Sequence, residues 1–559
     1  MEQPQTGSSG TELCNAAGAE GPEPFNAADY LLGGSADPDR IAVRHPGGEL
    51  SYGQLGEEVR RVAAGLLALD VRPEERVLCC MVDDLELFTA ILATMYIGAV
   101  AVPCSTMLTG PELGKLVADS RTRVVIGSAE FRDAVLAAAW YGEVRTLVLT
   151  GDDPAAEDEL PVGAVGISWQ RLLTLGAGEP VTAPYPSWAD SAALWLCTSG
   201  TTGTPKAAMH RHTDIRYVAR SYGEQVLGIG PEDVCLSAAK LFFAYGIGNS
   251  MFFPLAVGAS AVLEPGRPSP ALFAERVAQH GVTLFFGVPS FWGPMLAASP
   301  EEVPDGALSG VRQGVSAGET LPPRIYHGIL ERYGVEILDG IGSTEVLHIY
   351  ISNRSGRVVP GSSGTPVPGY RVQLRRDDGS VIDGIDEAGM LYIAGESLCT
   401  GYWCRTAVNR LVFHGEWMRT GDKYVRGADG SYTCLGRADD VLKVGGIWVS
   451  PAEVEARLLE HPGIVEAAVI GVRDADGLDK PVAFVVPRPG DHLDADEVIS
   501  FCRAGLAAFK RPRAVLELAE LPKTATGKIQ RFRLHDLAAD HPATISAVGS
   551  PTPDTQLTS

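Results

Sequence analysis

The sequence predicts an α/β protein. It has a large N-terminal domain of parallel-rich sheets plus a small β-barrel unit, and a small α+β C-terminal domain. Three observations predict it. Apolar, β-rich runs alternate with helical patterns over most of the chain, as parallel sheets with crossover helices require. The texture changes to short strands and turns after about residue 360. A length of 559 residues is too great for one core, and a capped helix followed by a strand opens a second unit after residue 440.

The elements follow in order. "RVLCCMV" reads as a strand and "ELFTAILATMYIG" as the helix after it. "TRVVIGS" precedes the helical "EFRDAVLAAAWY", and "VTLFFGVP" precedes "SFWGPMLAAS". "GVRQGVSAGE" leads to "PPRIYHGILERYG", then to the strand "VEILDGIGSTE". Leu87 to Pro111 carries no charge, but Gly98 and Pro103 divide it into a helix and a buried strand, so a membrane span is disfavoured. "YRVQLRRDDGSVIDGIDEAGMLYIAG" supplies the β unit. In "SPAEVEARLLEHPGIVEAAVIGV", Ser450 and Pro451 start a helix with Glu453 as capping-box partner. The expected divisions are a disordered leader at 1–24, an N-terminal domain at 25–436, a C-terminal domain at 441–536 and a disordered tail at 540–559.

Composition excludes some functions. Hydrophobic residues make up 45% and charged residues 21%, ordinary for a soluble protein. The net charge of −23 argues against general nucleic-acid or acidic-membrane binding, but not against a local anion site. The 10 cysteines show no C-x-x-C spacing, so reduced, mostly buried thiols in a cytoplasmic protein are expected. The N-terminus has neither the basic region nor the apolar core of a signal peptide.

The chemistry begins at "LWLCTSGTTGTPKAAMH". A buried strand ends in Thr198, Ser199, Gly200, Thr201, Thr202, Gly203 and Thr204, followed by Pro205 and Lys206. Glycines let the backbone approach a ligand, hydroxyls and amides donate to anionic oxygens, and the lysine adds charge, so a polyphosphate fits. The spacing is not that of a Walker loop. Two more loops lie at strand ends: Ser316, Ala317, Gly318 and Glu319, and "DGIGSTE", Asp339 to Glu345. Parallel sheets bind ligands at such ends, so the three loops are expected to share one site. Glu345 reads either as a magnesium ligand or as an acid at a helix N-terminus.

"TSGTTGTPK", "DGIGSTE", "TGD", "GRADDVLKVGG" and "PKTATGKIQR" resemble, in order, the core motifs of the acyl-CoA synthetase/adenylation-domain superfamily. The resemblance implies an acyl-adenylate made from a carboxylic acid and ATP, then transfer of the acyl group to a thiol. It implies that the loop from Thr198 to Lys206 cradles the β- and γ-phosphates, and that Ser316–Glu319, Asp339 and Gly340 border the adenine. Thr344 would contact the α-phosphate and Glu345 would bind Mg2+. Asp422 would grip the ribose with Arg437 nearby. Asp439, within a hinge at 437–440, would let the mobile small domain turn, carrying Lys528 in for adenylation and presenting Lys443, Gly445 and Gly446 to the acceptor thiol.

"KLFFAYGIGN" and "IGSTEVLHIYISN" resemble benzoate-CoA ligases within that superfamily. The candidate acyl pocket is Phe243, Ala244, Tyr245 and Gly246 with Ile341, Gly342 and His348. From the residues alone, small groups beside aromatics could shape a flat slot, while core packing remains the alternative for most of the aromatics and for the histidine. "HRH", His210 to His212, lacks a third ligand and is not read as a metal site. The cluster Lys510, Arg511, Arg513, Lys523, Lys528, Arg531 and Arg533 is either a solvated face or a surface for CoA phosphates or an acidic carrier protein.

The expected function is therefore an ATP-dependent aryl-acid ligase using ATP, Mg2+ and coenzyme A. One alternative loads the aryl group onto a carrier-protein phosphopantetheine, and another is a catalytically silent binding protein. No nucleic acid or membrane partner is expected.

Overall fold

The computed structural model describes residues 23–541 other than 152, 179, 199–205, 439–441, 445–446, 474–478, 489, 524–528 and 540. Two large sheets form its frame. In the first, Val165–Ser168, Thr146–Leu149, Val124–Gly127, Arg76–Cys80, Val100–Pro103 and Ala192–Thr198 run parallel, and Lys206–Arg211 closes one edge antiparallel. In the second, Ile41–His45, Ser260–Val262, Val234–Ser237, Leu284–Gly287, Gln313–Ser316 and Ile337–Gly342 are parallel, with antiparallel strands at both edges.

The period of two along each strand sorts its residues into layers. Cys79 and Phe286 face one shared core, whereas Leu78, Cys80 and Phe285 face outer cores. The helices Tyr52–Ala68 and Leu85–Tyr96 occupy the shared core between the sheets. Leu85–Tyr96 is therefore apolar nearly all round, with only its first two residues outside the buried set. It spans part of the uncharged stretch, and no helix among the described residues is long and apolar enough to cross a membrane.

The β unit after residue 360 is a curled antiparallel sheet of Arg371–Arg375, Gly389–Ala394, Phe413–His414, Trp417–Arg426 and Tyr432–Arg437. Leu374, Leu391, Ile393 and Met418 turn one face of it into the shared core. The small C-terminal domain has cores of its own. Its sheet of Ile464–Arg473, Asp479–Pro487 and Ala514–Glu517 carries Pro451–Leu459 and Ala495–Arg503 on one face and Arg531–Ala539 on the other.

One expectation is corrected. Ser450 does precede the helix Pro451–Leu459, but its side chain makes no capping bond and its Oγ is buried without a partner among the described residues. Glu453 is drawn instead to Lys510, whose Nζ lies 2.5 Å from its Oε1. By contrast, Ser51 forms a real capping box: Gln54 N donates to Ser51 Oγ at 3.3 Å and Ser51 N donates to Gln54 Oε1 at 2.9 Å.

Ser51→Ala is expected to cost about 1 kcal/mol of stability. Ser450→Ala, which removes an unpaired buried hydroxyl, should stay within about 0.5 kcal/mol of wild type or stabilise slightly. Denaturant melts of both variants check this; equal losses would restore the capping box at Ser450.

Candidate functional site

The crevice begins where three parallel strands end together. Their register sets Gly287 beside Ser316 and Ser316 beside Asp339. Asp339 is 4% exposed. Its Oδ2 accepts from Leu321 N at 3.2 Å, while Oδ1 and the nearby Ser316 Oγ are buried without partners among the described residues. Burial pushes the Asp339 carboxyl up to about 8, so it is largely neutral at physiological pH. Gly318 turns the chain away with φ +94°, a conformation that favours glycine.

The other sheet supplies the loop expected to bind phosphate. Thr198 and Lys206 pair across the two strands that flank it, which closes the loop's base. Ser199, Gly200, Thr201, Thr202 and Gly203 lie outside the described residues, as do Asp439, Gly445, Gly446 and Lys528. Lys443 is in the strand Leu442–Val444, with only its backbone described.

The strand Lys206–Arg211 joins the two sheets. His210, fully buried, has Nε2 2.8 Å from the Thr344 carbonyl oxygen and Nδ1 3.1 Å from Asp214 Oδ2. Along the strand's other edge runs Thr400–Trp403. Trp403 N donates to Ala207 O at 3.0 Å, and Met209 N donates to Gly401 O at 3.0 Å. Cys399 N donates to Glu345 O at 2.8 Å. The turn Thr344–Glu345 is thus held from both sides, and it stands beside Lys206. Tyr402 Oη donates to Glu345 Oε1 at 2.6 Å, and Lys206 Nζ lies 5.5 Å from the centre of the Tyr402 ring.

Asp422 and Arg437 face each other across an antiparallel pair, with Arg437 Nη1 3.1 Å from Asp422 Oδ1. The same nitrogen donates to Thr420 O at 3.1 Å, fixing the guanidinium. The Tyr350 hydroxyl is buried between these elements. Burial raises it well above its ordinary value, and the charges of Asp422 and Glu345 raise it further.

An aromatic wall includes His348, three residues after Glu345 in the chain. Tyr245 Oη lies 3.1 Å from Gly287 O and 3.2 Å from Val315 O, its one proton shared between the two carbonyls, so the ring sits against the strand ends. The His348 ring lies 5.5 Å from it, tilted by 38°. His348 Nε2 donates to Asn249 Oδ1 at 3.1 Å, and burial holds the imidazole down at about 3, hence neutral. Its Nδ1 is left as a buried acceptor without a partner among the described residues. A π-helical turn, Gly248–Phe252, delivers Asn249 to this place. Ala244 is buried at 7% exposure, and Phe243, Ile341 and Gly342 are half-buried. Gly246 has a backbone reason: a Cβ there would stand 2.0 Å from Lys240 O.

Sequence reasoning missed Tyr402, Tyr350, Asn249 and the bridging role of His210. His212 has a structural task, its Nδ1 accepting from Ala27 N at 3.0 Å. Much of the basic cluster is engaged locally: Lys510 pairs with Glu453, Lys523 with Glu466 and Arg531 with Glu455. Among the described residues no three His, Cys, Asp or Glu side chains gather as a metal cage. A single carboxylate such as Glu345 nevertheless suits Mg2+, which takes one or two protein carboxylates and completes its shell with water and substrate phosphates.

The sequence profile of AMP-binding enzymes matches residues 34–403, and that of the AMP-binding enzyme C-terminal domain matches residues 453–528. A benzoate–CoA ligase of Thauera aromatica is 42% identical over 525 residues, which cover 92% of this chain and 96% of that protein. A crystal structure of a benzoate CoA ligase from Burkholderia xenovorans matches with a TM-score of 0.81 at 38% identity, covering 91% of this chain and 100% of the other. An anthranilate CoA ligase solved with anthranoyl-AMP matches with a TM-score of 0.86 at 36% identity, covering 94% and 98%. On this evidence the chain belongs to the AMP-binding enzyme family.

Proposed function

We propose that the protein is an AMP-forming ligase that joins benzoate or a substituted benzoate to coenzyme A through an aryl-adenylate. One observation carries the reading. The Thr344–Glu345 turn is tied to the phosphate-loop strand through His210, its Glu345 shares Tyr402 with Lys206, and three residues further along the chain His348 packs beside Tyr245 in an uncharged wall. A polyphosphate and a flat acid would meet at that turn. Buried free thiols such as Cys79, Cys80 and Cys235 suit a cytoplasmic enzyme.

In this reading the loop from Thr198 to Lys206 holds the β- and γ-phosphates. Asp339 Oδ1 and Ser316 Oγ gain partners when a base is seated over them. Asp422, oriented by Arg437, takes the ribose hydroxyls. Glu345 is the residue that would hold Mg2+, which neutralises charge on the phosphate oxygens. A carboxylate oxygen of the substrate attacks the α-phosphorus, the bond to the bridging oxygen breaks, and diphosphate leaves. No general base is needed, because the nucleophile is already ionised. The work is positioning and charge stabilisation, to which Lys528 and Thr344 contribute. The thiolate of coenzyme A then attacks the carbonyl carbon and expels AMP, entering past Lys443, Gly445 and Gly446 after the small domain turns about Asp439. The neutral His348 leaves the acyl side without a competing charge.

The direct test is acid-dependent exchange of diphosphate into ATP. Glu345→Gln should slow benzoate-dependent exchange about a hundredfold and raise the Mg2+ concentration at half-saturation. Unaltered Mg2+ dependence would remove Glu345 from the metal.

Ala244→Leu should raise the KM for benzoate at least about tenfold, the scale of a few methylenes forced into a filled site, while KM for ATP stays within about twofold. Wild-type activation of octanoate as efficient as that of benzoate would overturn the aromatic preference.

Lys528→Ala should lower adenylation about 10²–10³-fold in kcat, as expected for a lost donor to developing charge. The same variant, given preformed aryl-adenylate and coenzyme A, should form thioester near the normal rate. Equal slowing of both half-reactions would count against domain alternation.

A further inference from the structure

Tyr402 is built into the crevice more firmly than a packing residue needs to be. The short run Thr400–Trp403 lies in sequence between strands of the antiparallel sheet, yet it pairs with Lys206–Arg211. Asn409 grips Tyr402 at both backbone groups, its Oδ1 accepting from Tyr402 N at 2.8 Å and its Nδ2 donating to Tyr402 O at 2.9 Å. The residue is 6% exposed, and its ring centre lies 5.7 Å from that of Phe413. From that fixed base the hydroxyl reaches Glu345 and the ring face meets Lys206.

We propose that Tyr402 is a positioning residue for adenylation. Its hydroxyl commits one oxygen of Glu345 and presents the other to the metal–phosphate group, and its ring steadies the Lys206 ammonium at the base of the phosphate loop. This rests on the reading of Glu345 as the magnesium-facing acid. A carboxylate is acceptor-only, so the tyrosine must donate. Being neutral, it orients the carboxylate without cancelling the charge a cation needs. Mg2+ demands near-octahedral geometry, and a carboxylate free to rotate satisfies it poorly. The ammonium over the ring adds a weak attraction that holds a long side chain in place without an opposing charge to desolvate.

The experiment compares wild type, Tyr402→Phe, Tyr402→Leu and Glu345→Gln. The first measurement is the dissociation constant of Mn2+–ATP by electron paramagnetic resonance, which needs no turnover. The second is the Mg2+ dependence of benzoate-dependent diphosphate exchange. Tyr402→Phe should weaken Mn2+–ATP binding roughly tenfold, the lower range for a hydrogen bond to a charged group. It should raise the Mg2+ half-saturation about as much, and leave KM for benzoate unchanged. Tyr402→Leu should weaken ATP a further few-fold by releasing Lys206. Asn409→Ala, which loosens the tyrosine without touching Glu345, should shift binding in the same direction by a smaller factor, and it serves if Tyr402→Phe folds poorly. Wild-type Mn2+–ATP affinity in Tyr402→Phe, with Glu345→Gln impaired, overturns this inference alone. Wild-type affinity in Glu345→Gln overturns the metal reading of Glu345 and this inference with it.

Discussion

The crevice depends on one buried ionic contact. His210 spans from the Thr344 carbonyl to Asp214, and Asp214 also receives Arg211 through its backbone N and its guanidinium Nε, each at 3.0 Å. Side chains of His210 and Asp214 are both fully buried. A charge taken out of water is costly unless every lone pair and proton finds a partner. Here they do, and the partners come from the two different large sheets. Removing Asp214 would strand His210 Nδ1, and removing His210 would take away the side chain that ties Asp214 to the Thr344 carbonyl, so the pair keeps the edge strand and the Thr344–Glu345 turn at a fixed spacing. The strand that carries Lys206 and the segment that runs from Thr344 to His348 are aligned through that spacing.

The same logic explains a contrast between two groups of residues. Exposed or half-buried charges are ordered by opposite charge or by hydrogen bonds, as in Asp422 with Arg437 and Glu345 with Tyr402. In the aromatic wall burial removes charge: His348 is held neutral, and the Tyr245 hydroxyl is tied to backbone carbonyls.

Much of this was legible in the sequence where the signal is local. Alternation of apolar residues found the strands, and two of the motif loops follow neighbouring parallel strands, with Ser316 beside Asp339. What escaped is carried by contacts between distant segments. His210 meets Thr344 across 134 positions and Tyr402 meets Glu345 across 57, and no periodicity encodes either. The π-helical turn that brings Asn249 to His348 has no pattern of its own. The failed capping box has the same origin. Ser450 and Glu453 satisfy the local rule, but Lys510, 57 positions away, offers the carboxylate a charged partner and takes it.

The pairing of Thr400–Trp403 with Lys206–Arg211 bears on how the chain is assembled during synthesis. Strand Ile41–His45 has its parallel partner in Ser260–Val262, and Met209 waits for Thr400, 191 residues downstream. A ribosome-bound chain therefore carries unpaired strand edges and apolar helix faces through most of translation. Closing such long loops is slow, and the waiting edges invite association with other chains. Lys206 acquires its aromatic neighbour and Glu345 its hydrogen-bond donor only when residue 402 has emerged. The surroundings of Glu345 and Lys206 are therefore among the last parts of the large domain to form, long after much of the apolar interior has been synthesised.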